Sequence, residues 1–243
     1  MLFSDRHDVI FPGWDSGDPG SPEQRSIWLY GIEPGFHKKI DAINTYDEPI
    51  TPDRHNNTVH YQWDIRKWPF NRKALMLIAV IEGMPVTPNF TQDARRYAGE
   101  HKIFERNGKG YFKGNLFPQQ SNNTGSWSDR AIEETGFQSK SDFYDFFRDY
   151  FGNLHRIVVA RAPRLFIGVG LTHADDFAKV VFGQYVRLEQ TTFEINGHRK
   201  KILLADGPTP LAVIPHLTGG SHGLNSYKSI QTAGAIIRNR FRL

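Results

Sequence analysis

The chain has 243 residues, of which 39% are hydrophobic and 23% are charged. This composition is typical of a globular protein and excludes an intrinsically disordered chain. The absence of cysteine excludes disulfides, thiolate nucleophiles and metal sites that use cysteine ligands. The formal net charge of +4 permits a polyanionic partner such as a nucleic acid, but it does not require one.

The sequence contains no recognisable targeting or membrane signal. Its apolar stretches are all shorter than the roughly 20 residues that a transmembrane helix needs, and residues 1–6 do not begin a signal peptide. A chain without cysteine also suits a reducing compartment. We therefore expect a cytoplasmic protein without a membrane partner.

The first part of the chain predicts an irregular arm, a strand and a long loop. Residues 1–25 contain several Pro- and Gly-containing turns and therefore indicate the arm. Residues 26–33 are bulky and apolar and predict the first strand. Residues 36–70 are polar with little periodicity, so we expect a short helix followed by a loop.

The middle of the chain predicts two helices before a second strand. Residues 71–82 are compatible with a buried helix or a buried strand, and their Ala, Leu and Met content favours the helix. A second helix is expected over residues 91–102, with Thr91 as its cap. Residues 111–117 predict a strand that Pro118 stops.

The remainder of the chain continues this alternation of strands and helices. A polar loop is expected over 119–140, followed by an amphipathic helix over 141–160 and a strand over 164–170. Thr172–Phe177 cap and start the next helix. A β-hairpin over 185–205 around Asn196-Gly197, a strand over 211–215 and a closing helix over 225–240 complete the chain.

Four apolar strands separated by helices predict a parallel sheet with right-handed crossovers. The expected fold is therefore α/β, with three α/β/α layers, a central four-stranded parallel sheet and an added β-hairpin. The sequence contains no internal repeat and no low-complexity linker. We therefore expect a single domain over residues 1–243.

Two loops that follow apolar strands carry the residues best suited to chemistry. The first is Gly31-Ile32-Glu33-Pro34-Gly35 and the second is Pro215-His216-Leu217-Thr218-Gly219-Gly220-Ser221. Because the carboxyl ends of parallel strands face one crevice, we expect Glu33 and His216 to share a site. Taken alone, Glu33 can be a turn residue or a helix cap, and a lone histidine such as His216 is more often structural. The flanking glycines favour a site because they let backbone approach a ligand.

Three further residues each allow two interpretations. Asn115 can satisfy local backbone groups, or it can donate and accept hydrogen bonds at a pyrimidine edge. Phe117 can belong to the core or stack on such a base. Leu224 can be a hydrophobic staple for the closing helix or a wedge that enters a base stack. The glycine-rich loop before Leu224 can press its backbone amides against phosphates.

The sequence carries no signature of a metal or cofactor site. No Ser-hydrolase elbow, P-loop or dinucleotide-binding motif is present. The histidines and aspartates of the first polar region match no zinc spacing; they are His37, His55, His60, Asp41, Asp47 and Asp53. We therefore expect neither a metal nor an organic cofactor.

With these residues assembled, the chain resembles the uracil-DNA glycosylase superfamily. The turn at Gly31–Gly35 is similar to the family's first motif, whose third residue positions the attacking water. The strand at Tyr111–Phe117 is similar to the one whose terminal Asn, here Asn115, hydrogen-bonds the flipped base. The loop at Pro215–Ser221 is similar to the second motif. In that motif a His stabilises the departing base, and the following loop grips phosphate and inserts a wedge.

The chain departs from the family pattern at three places. Glu33 is longer than the usual Asp or Asn, and Leu217-Thr218-Gly219-Gly220 replaces the Pro-Ser that follows the motif histidine. The loops at 44–70 and 119–140 and the hairpin are additions to a minimal member. These departures favour a larger or modified base, such as one belonging to a phage genome.

The resemblance implies a DNA glycosylase that hydrolyses the N-glycosidic bond of a flipped-out uracil-like or modified pyrimidine and leaves an abasic site. Such an activity serves DNA repair or defence against modified phage DNA, with no obligate protein partner. The implied catalytic residues are Glu33 and His216. The implied substrate-binding residues are Gly31, Ile32, Pro34, Gly35, Asn115 and Phe117. The implied DNA-binding residues are Thr218, Gly219, Gly220, Ser221, His222, Leu224 and Asn225.

Two alternatives stay open at this point. One is a catalytically silent nucleic-acid-binding protein of the same fold, and the other is an unrelated small-molecule hydrolase or transferase on a parallel α/β sheet. Glu33 and His216 argue against the silent binder, because binding alone needs neither. Abasic-site formation on oligonucleotides distinguishes these functions.

Overall fold

A computed structural model describes residues 14–34, 69–105, 107–119, 125, 127–218 and 220–243. The strands in these ranges are β1 (Trp14–Gly17), β2 (Ile27–Gly31), β3 (Tyr111–Asn115), β4 (Leu165–Val169), β5 (Glu189–Ile195), β6 (His198–Ala205) and β7 (Leu211–Ile214). The helices are α1 (Pro69–Ile81), α2 (Phe90–Glu100), α3 (Asp129–Thr135), α4 (Lys140–Asp149), α5 (Phe151–Arg161), α6 (Ala174–Phe182) and α7 (Tyr227–Phe241), with a 3-10 turn at Leu171–His173 before α6.

All seven described strands form one mixed sheet in the order β1-β3-β2-β4-β7-β6-β5. The four central strands, β3, β2, β4 and β7, pair in parallel. The edge strands β1 and β6–β5 pair antiparallel. The prediction of an α/β fold is confirmed, but the prediction of a four-stranded parallel sheet is wrong. The sheet has more than four strands, because β1, which belongs to the expected arm, pairs with β3, and the hairpin pairs with β7.

Helices cover both faces of this sheet. Alternate residues of β2 point to opposite sides, as strand geometry requires. Ile27 and Leu29 join a core with α1, α2 and α7, which we call the first face. Trp28 and Tyr30 join a core with α4, α5 and α6, which we call the second face. In the described parts of the chain, every helix is too short or too polar to cross a membrane.

Several local predictions need correction. The expected helix over 141–160 is two helices, because the Tyr150 backbone N–H bonds the Phe147 carbonyl, three residues back, where the chain bends. The expected loop over 119–140 contains α3, which the Ser128 side chain caps. Thr91 is not a cap, since α2 begins one residue before it. The predicted helix and loop over 36–70 lie almost wholly outside the described residues.

The four central strands bring their carboxyl ends to one edge of the sheet, which we call the carboxyl edge. Glu33, Asn115, His173 and His216 all lie at or just beyond these ends. The backbone N–H of Leu116 donates to the carbonyl of Gly31 over 3.0 Å, so the pairing of β2 and β3 continues past the strands. The carboxyl edge is therefore where the structure places the candidate residues.

Close packing on the second face predicts that Gly168→Ala is destabilising. A Cβ at Gly168 of β4 would lie 2.5 Å from the buried ring of Phe177, and such overpacking costs about 1–3 kcal/mol. Gly152→Ala is the matched control, because a Cβ there meets nothing within 4 Å and Ala is the better helix former. Urea unfolding should show lower stability for Gly168→Ala alone. Equal stability of the two variants would contradict this packing.

Candidate active site

The carboxyl edge holds Glu33, Asn115 and His216 on different strands. Asn115 ends β3, Glu33 follows its neighbour β2, and His216 follows β7. One strand, β4, separates β2 from β7. The strands that precede Glu33 and His216 are therefore two inter-strand spacings apart, which is about 10 Å. The carboxylate and the imidazole therefore follow the two strands that flank β4.

The Glu33 carboxylate is held by two donors from α4. The Lys140 ammonium lies 2.9 Å from both carboxylate oxygens, and the Tyr144 hydroxyl donates to Oε1 over 2.9 Å. Only 4% of the Glu33 side chain is exposed. Burial and the neighbouring Glu33 charge raise the pKa of Tyr144 well above its usual value, so its hydroxyl keeps the proton that it donates. The carboxylate is thus fixed in position and balanced by one cation.

The Asn115 amide lies directly over Gly31. The two residues are register partners in β3 and β2, and a Cβ at Gly31 would lie 2.5 Å from Asn115 Oδ1. A side chain at position 31 would therefore displace the Asn115 amide. Ile32 packs in the core of the second face, while Pro34 is half-buried. Gly35 lies outside the described residues.

The contacts of His216 define its tautomer. The Thr218 backbone N–H donates to His216 Nδ1 over 3.2 Å, and a backbone N–H can only donate. Nδ1 is therefore an acceptor, and the neutral ring carries its proton on Nε2. The residue lies at the surface, yet neighbouring atoms partly desolvate the ring. This burial, together with the Lys73 ammonium, lowers the pKa of His216 and favours the neutral form.

Two buried lysines hold the loop that follows His216. Lys73 of α1 donates to the Leu217 carbonyl over 2.8 Å, and burial lowers its pKa. Lys200 of β6 donates to the carbonyls of Ser221 and Gly223. These bonds turn loop carbonyls towards the protein interior. The segment of the loop that is exposed to solvent comprises Gly220, Ser221 and His222, with Thr218 and Asn225 exposed on either side.

Leu224 and Phe117 were expected to contact a ligand, but the structure buries both side chains. Leu224 is fully buried in the core of the first face, so it packs within the fold and is not an exposed wedge. Phe117 is also fully buried. Its ring stacks on Tyr144 at a centroid distance of 3.9 Å, so it offers no open face to a base. Gly219 lies outside the described residues.

A second polar group at the carboxyl edge was not predicted as part of the site. His173 follows β4 and hydrogen-bonds Asp176 of α6, which in turn binds Arg148 of α4. The sequence of residues 172–177 predicts only a helix cap and start. The sequence does contain a signal for this group, namely a histidine that follows a parallel strand and precedes an acidic residue by three positions.

Metal binding finds no support in the described ranges, which contain no cluster of three or more His, Asp or Glu side chains suited to a metal ion. The histidines at positions 37, 55 and 60 lie outside these ranges, as do the aspartates at 41, 47 and 53.

Comparison with known proteins assigns this chain to no family. No protein-family model and no curated protein matches the chain. The structure defines an α/β protein with a carboxylate, an amide and two histidines at the carboxyl edge of its sheet.

We expect the His216 imidazole to titrate below pH 6.5, the ordinary histidine pKa. Burial and the Lys73 ammonium disfavour the charged ring, so the neutral form persists until the pH falls through this lowered pKa. An NMR titration of the ring protons measures it. Lys73→Met should raise the His216 pKa towards 6.5, whereas Lys109→Met, before β3 at the opposite edge, should not. A wild-type value at or above 6.5 would contradict this environment.

Proposed function

We propose that this protein is a DNA N-glycosylase that releases a uracil-like or modified pyrimidine and leaves an abasic site. One observation carries the proposal: the order β3-β2-β4-β7 brings Asn115, Glu33 and His216 to the same edge of the sheet. These three side chains supply the polar groups that base recognition and glycosidic cleavage need. The proposal includes membership of the uracil-DNA glycosylase superfamily.

The charges of the site suit the transition state of this reaction. Glycosidic cleavage places positive charge on the sugar and negative charge on the departing base. The Glu33 carboxylate, fixed by Lys140 and Tyr144, would stabilise the sugar cation and orient water. The Nε2–H of neutral His216 would donate to the base anion. Donors already in place lower the barrier without reorganisation during the reaction.

Asn115 would recognise the base. The amide carries both an acceptor and two donors, and a pyrimidine presents the complementary groups side by side. A base can reach this amide only after it flips out of the duplex. The close packing of Asn115 against Gly31 would hold the amide in one place during recognition. The departures from the family motifs at Glu33 and after His216 favour a modified pyrimidine as the substrate.

The loop after His216 would bind the DNA backbone. Lys73 and Lys200 hold the carbonyls of Leu217, Ser221 and Gly223 in this loop, and Gly220, Ser221 and His222 are exposed. A loop whose carbonyls are held by cations can present backbone N–H groups to phosphate. Such contacts position the duplex without reading its sequence. The cellular role of the reaction would be DNA repair or defence against modified phage DNA.

Abasic-site formation tests the proposal. The substrates are oligonucleotides that carry uracil, mismatched thymine, 5-hydroxymethylcytosine or its glucosylated form, followed by alkaline cleavage and electrophoresis. The wild type should cleave at least one of them. Glu33→Gln and His216→Ala should each slow the reaction about 10²–10³-fold, because each removes a stabilising group from the transition state.

Matched controls are the exposed residues Glu194 and His198 of the hairpin. Glu194→Gln and His198→Ala should react at the wild-type rate. Salt-dependent DNA binding without cleavage of any substrate would support the silent binder instead. No binding at low salt would contradict both nucleic-acid functions.

A further inference from the structure

The loop after β4 places a second histidine at the carboxyl edge, between the strands that carry Glu33 and His216. His173 ends the 3-10 turn that follows β4, and β4 pairs with both β2 and β7. The imidazole lies against the rings of Tyr144 and Phe117, at centroid distances of 5.5 and 5.7 Å. Tyr144 is also the donor to Glu33. His173 is therefore a neighbour of the Glu33 site.

A carboxylate orients the His173 ring. Nδ1 lies 2.8 Å from Asp176 Oδ2, and the Arg148 guanidinium binds both oxygens of Asp176, at 3.0 and 3.2 Å. Although burial opposes it, hydrogen bonding to His173 and Arg148 lowers the pKa of Asp176. An ionised carboxylate can only accept. The proton of the neutral His173 ring therefore lies on Nδ1.

This tautomer leaves Nε2 of His173 as an acceptor. No described residue hydrogen-bonds Nε2, and this nitrogen is not among the buried atoms that lack a partner. About 10% of the side chain stays exposed, so a small molecule such as water can reach the ring. His216 has the opposite tautomer, with its proton on Nε2. The edge thus carries one imidazole that accepts and one that donates.

We propose that His173 is a catalytic residue, the general base that deprotonates the attacking water. This inference rests on the proposed glycosylase function. Glu33 is the usual candidate by position, but Lys140 and Tyr144 already occupy both of its oxygens. In the described structure no residue donates a hydrogen bond to the Nε2 atom of His173, so this atom can accept a proton from water. Glu33 then orients the water and stabilises the sugar cation without taking up the proton, and Asp176 and Arg148 position the His173 ring.

In the proposed step, water adds across the C1′–N bond of the nucleotide. The water oxygen forms a bond to C1′ of the deoxyribose, and one water proton moves to His173 Nε2. The C1′–N bond breaks, and its electron pair stays on the departing base, which accepts a hydrogen bond from His216. The base then takes up a proton, and His173 returns its own to solvent. The products are the free base and an abasic sugar with a C1′ hydroxyl.

Single-turnover abasic-site formation on the best oligonucleotide substrate tests the role of His173. His173→Gln should slow cleavage about 10²–10⁴-fold, the range of general base catalysis, with unchanged DNA affinity. The control is His155→Gln, which alters another partly buried imidazole, one that contacts Val180 and Gly183 near the end of α6. Added imidazole should partly restore cleavage by His173→Ala but not by Glu33→Gln.

A purely structural His173 would link helices α4 and α6 and would not give rescue by imidazole. If His173→Gln cleaves at the wild-type rate while Glu33→Gln does not, the inference is wrong and the glycosylase function stands. If the wild type cleaves no substrate, the glycosylase function fails and the inference falls with it. Independently of activity, ¹⁵N NMR should place the His173 proton on Nδ1. A proton on Nε2 would overturn the inference.

Discussion

The parallel pairing of β2 with β3 on one side and β4 on the other is the constraint on which the carboxyl edge depends. In this register Gly31 lies beside Asn115, and the carbonyls of Gly31 and Ile32 accept from Leu116 and Phe117 beyond the strand ends. The pairing therefore continues into the loops. A one-residue slip would reverse the faces of all these side chains, and it would separate the Asn115 amide from the glycine that accommodates it.

The edge built on this pairing is rich in buried charge. Burial of an unpaired ion is costly, so each charge needs close partners. Lys140 balances Glu33, Arg148 balances Asp176, and Lys200 donates to loop carbonyls. These bonds join α4 to the loop after β2 and to α6, and they join β6 to the loop after β7. Their common consequence is a set of polar groups that are oriented before any ligand binds, which electrostatic catalysis requires.

The sequence allowed prediction of the central strands, because their apolar runs end at recognisable turns. It also predicted that Glu33 and His216 follow the carboxyl ends of two such strands, where the structure places them. It did not reveal which face a side chain takes or which ion it meets, and these depend on contacts between distant segments. Thus Phe117 and Leu224 look like ligand contacts in sequence but are fully buried. The link between His173 and Arg148 spans two helices and has no sequence signature.

Addition of water across a glycosidic bond in DNA is the reaction that we propose for the carboxyl edge. The most direct measurement is mass spectrometry of the products formed in H₂¹⁸O from oligonucleotides that carry uracil or a modified cytosine. We expect the released base to carry no ¹⁸O and the abasic sugar to carry one ¹⁸O atom. Intact oligonucleotides throughout, or ¹⁸O in the released base instead of the sugar, would contradict it.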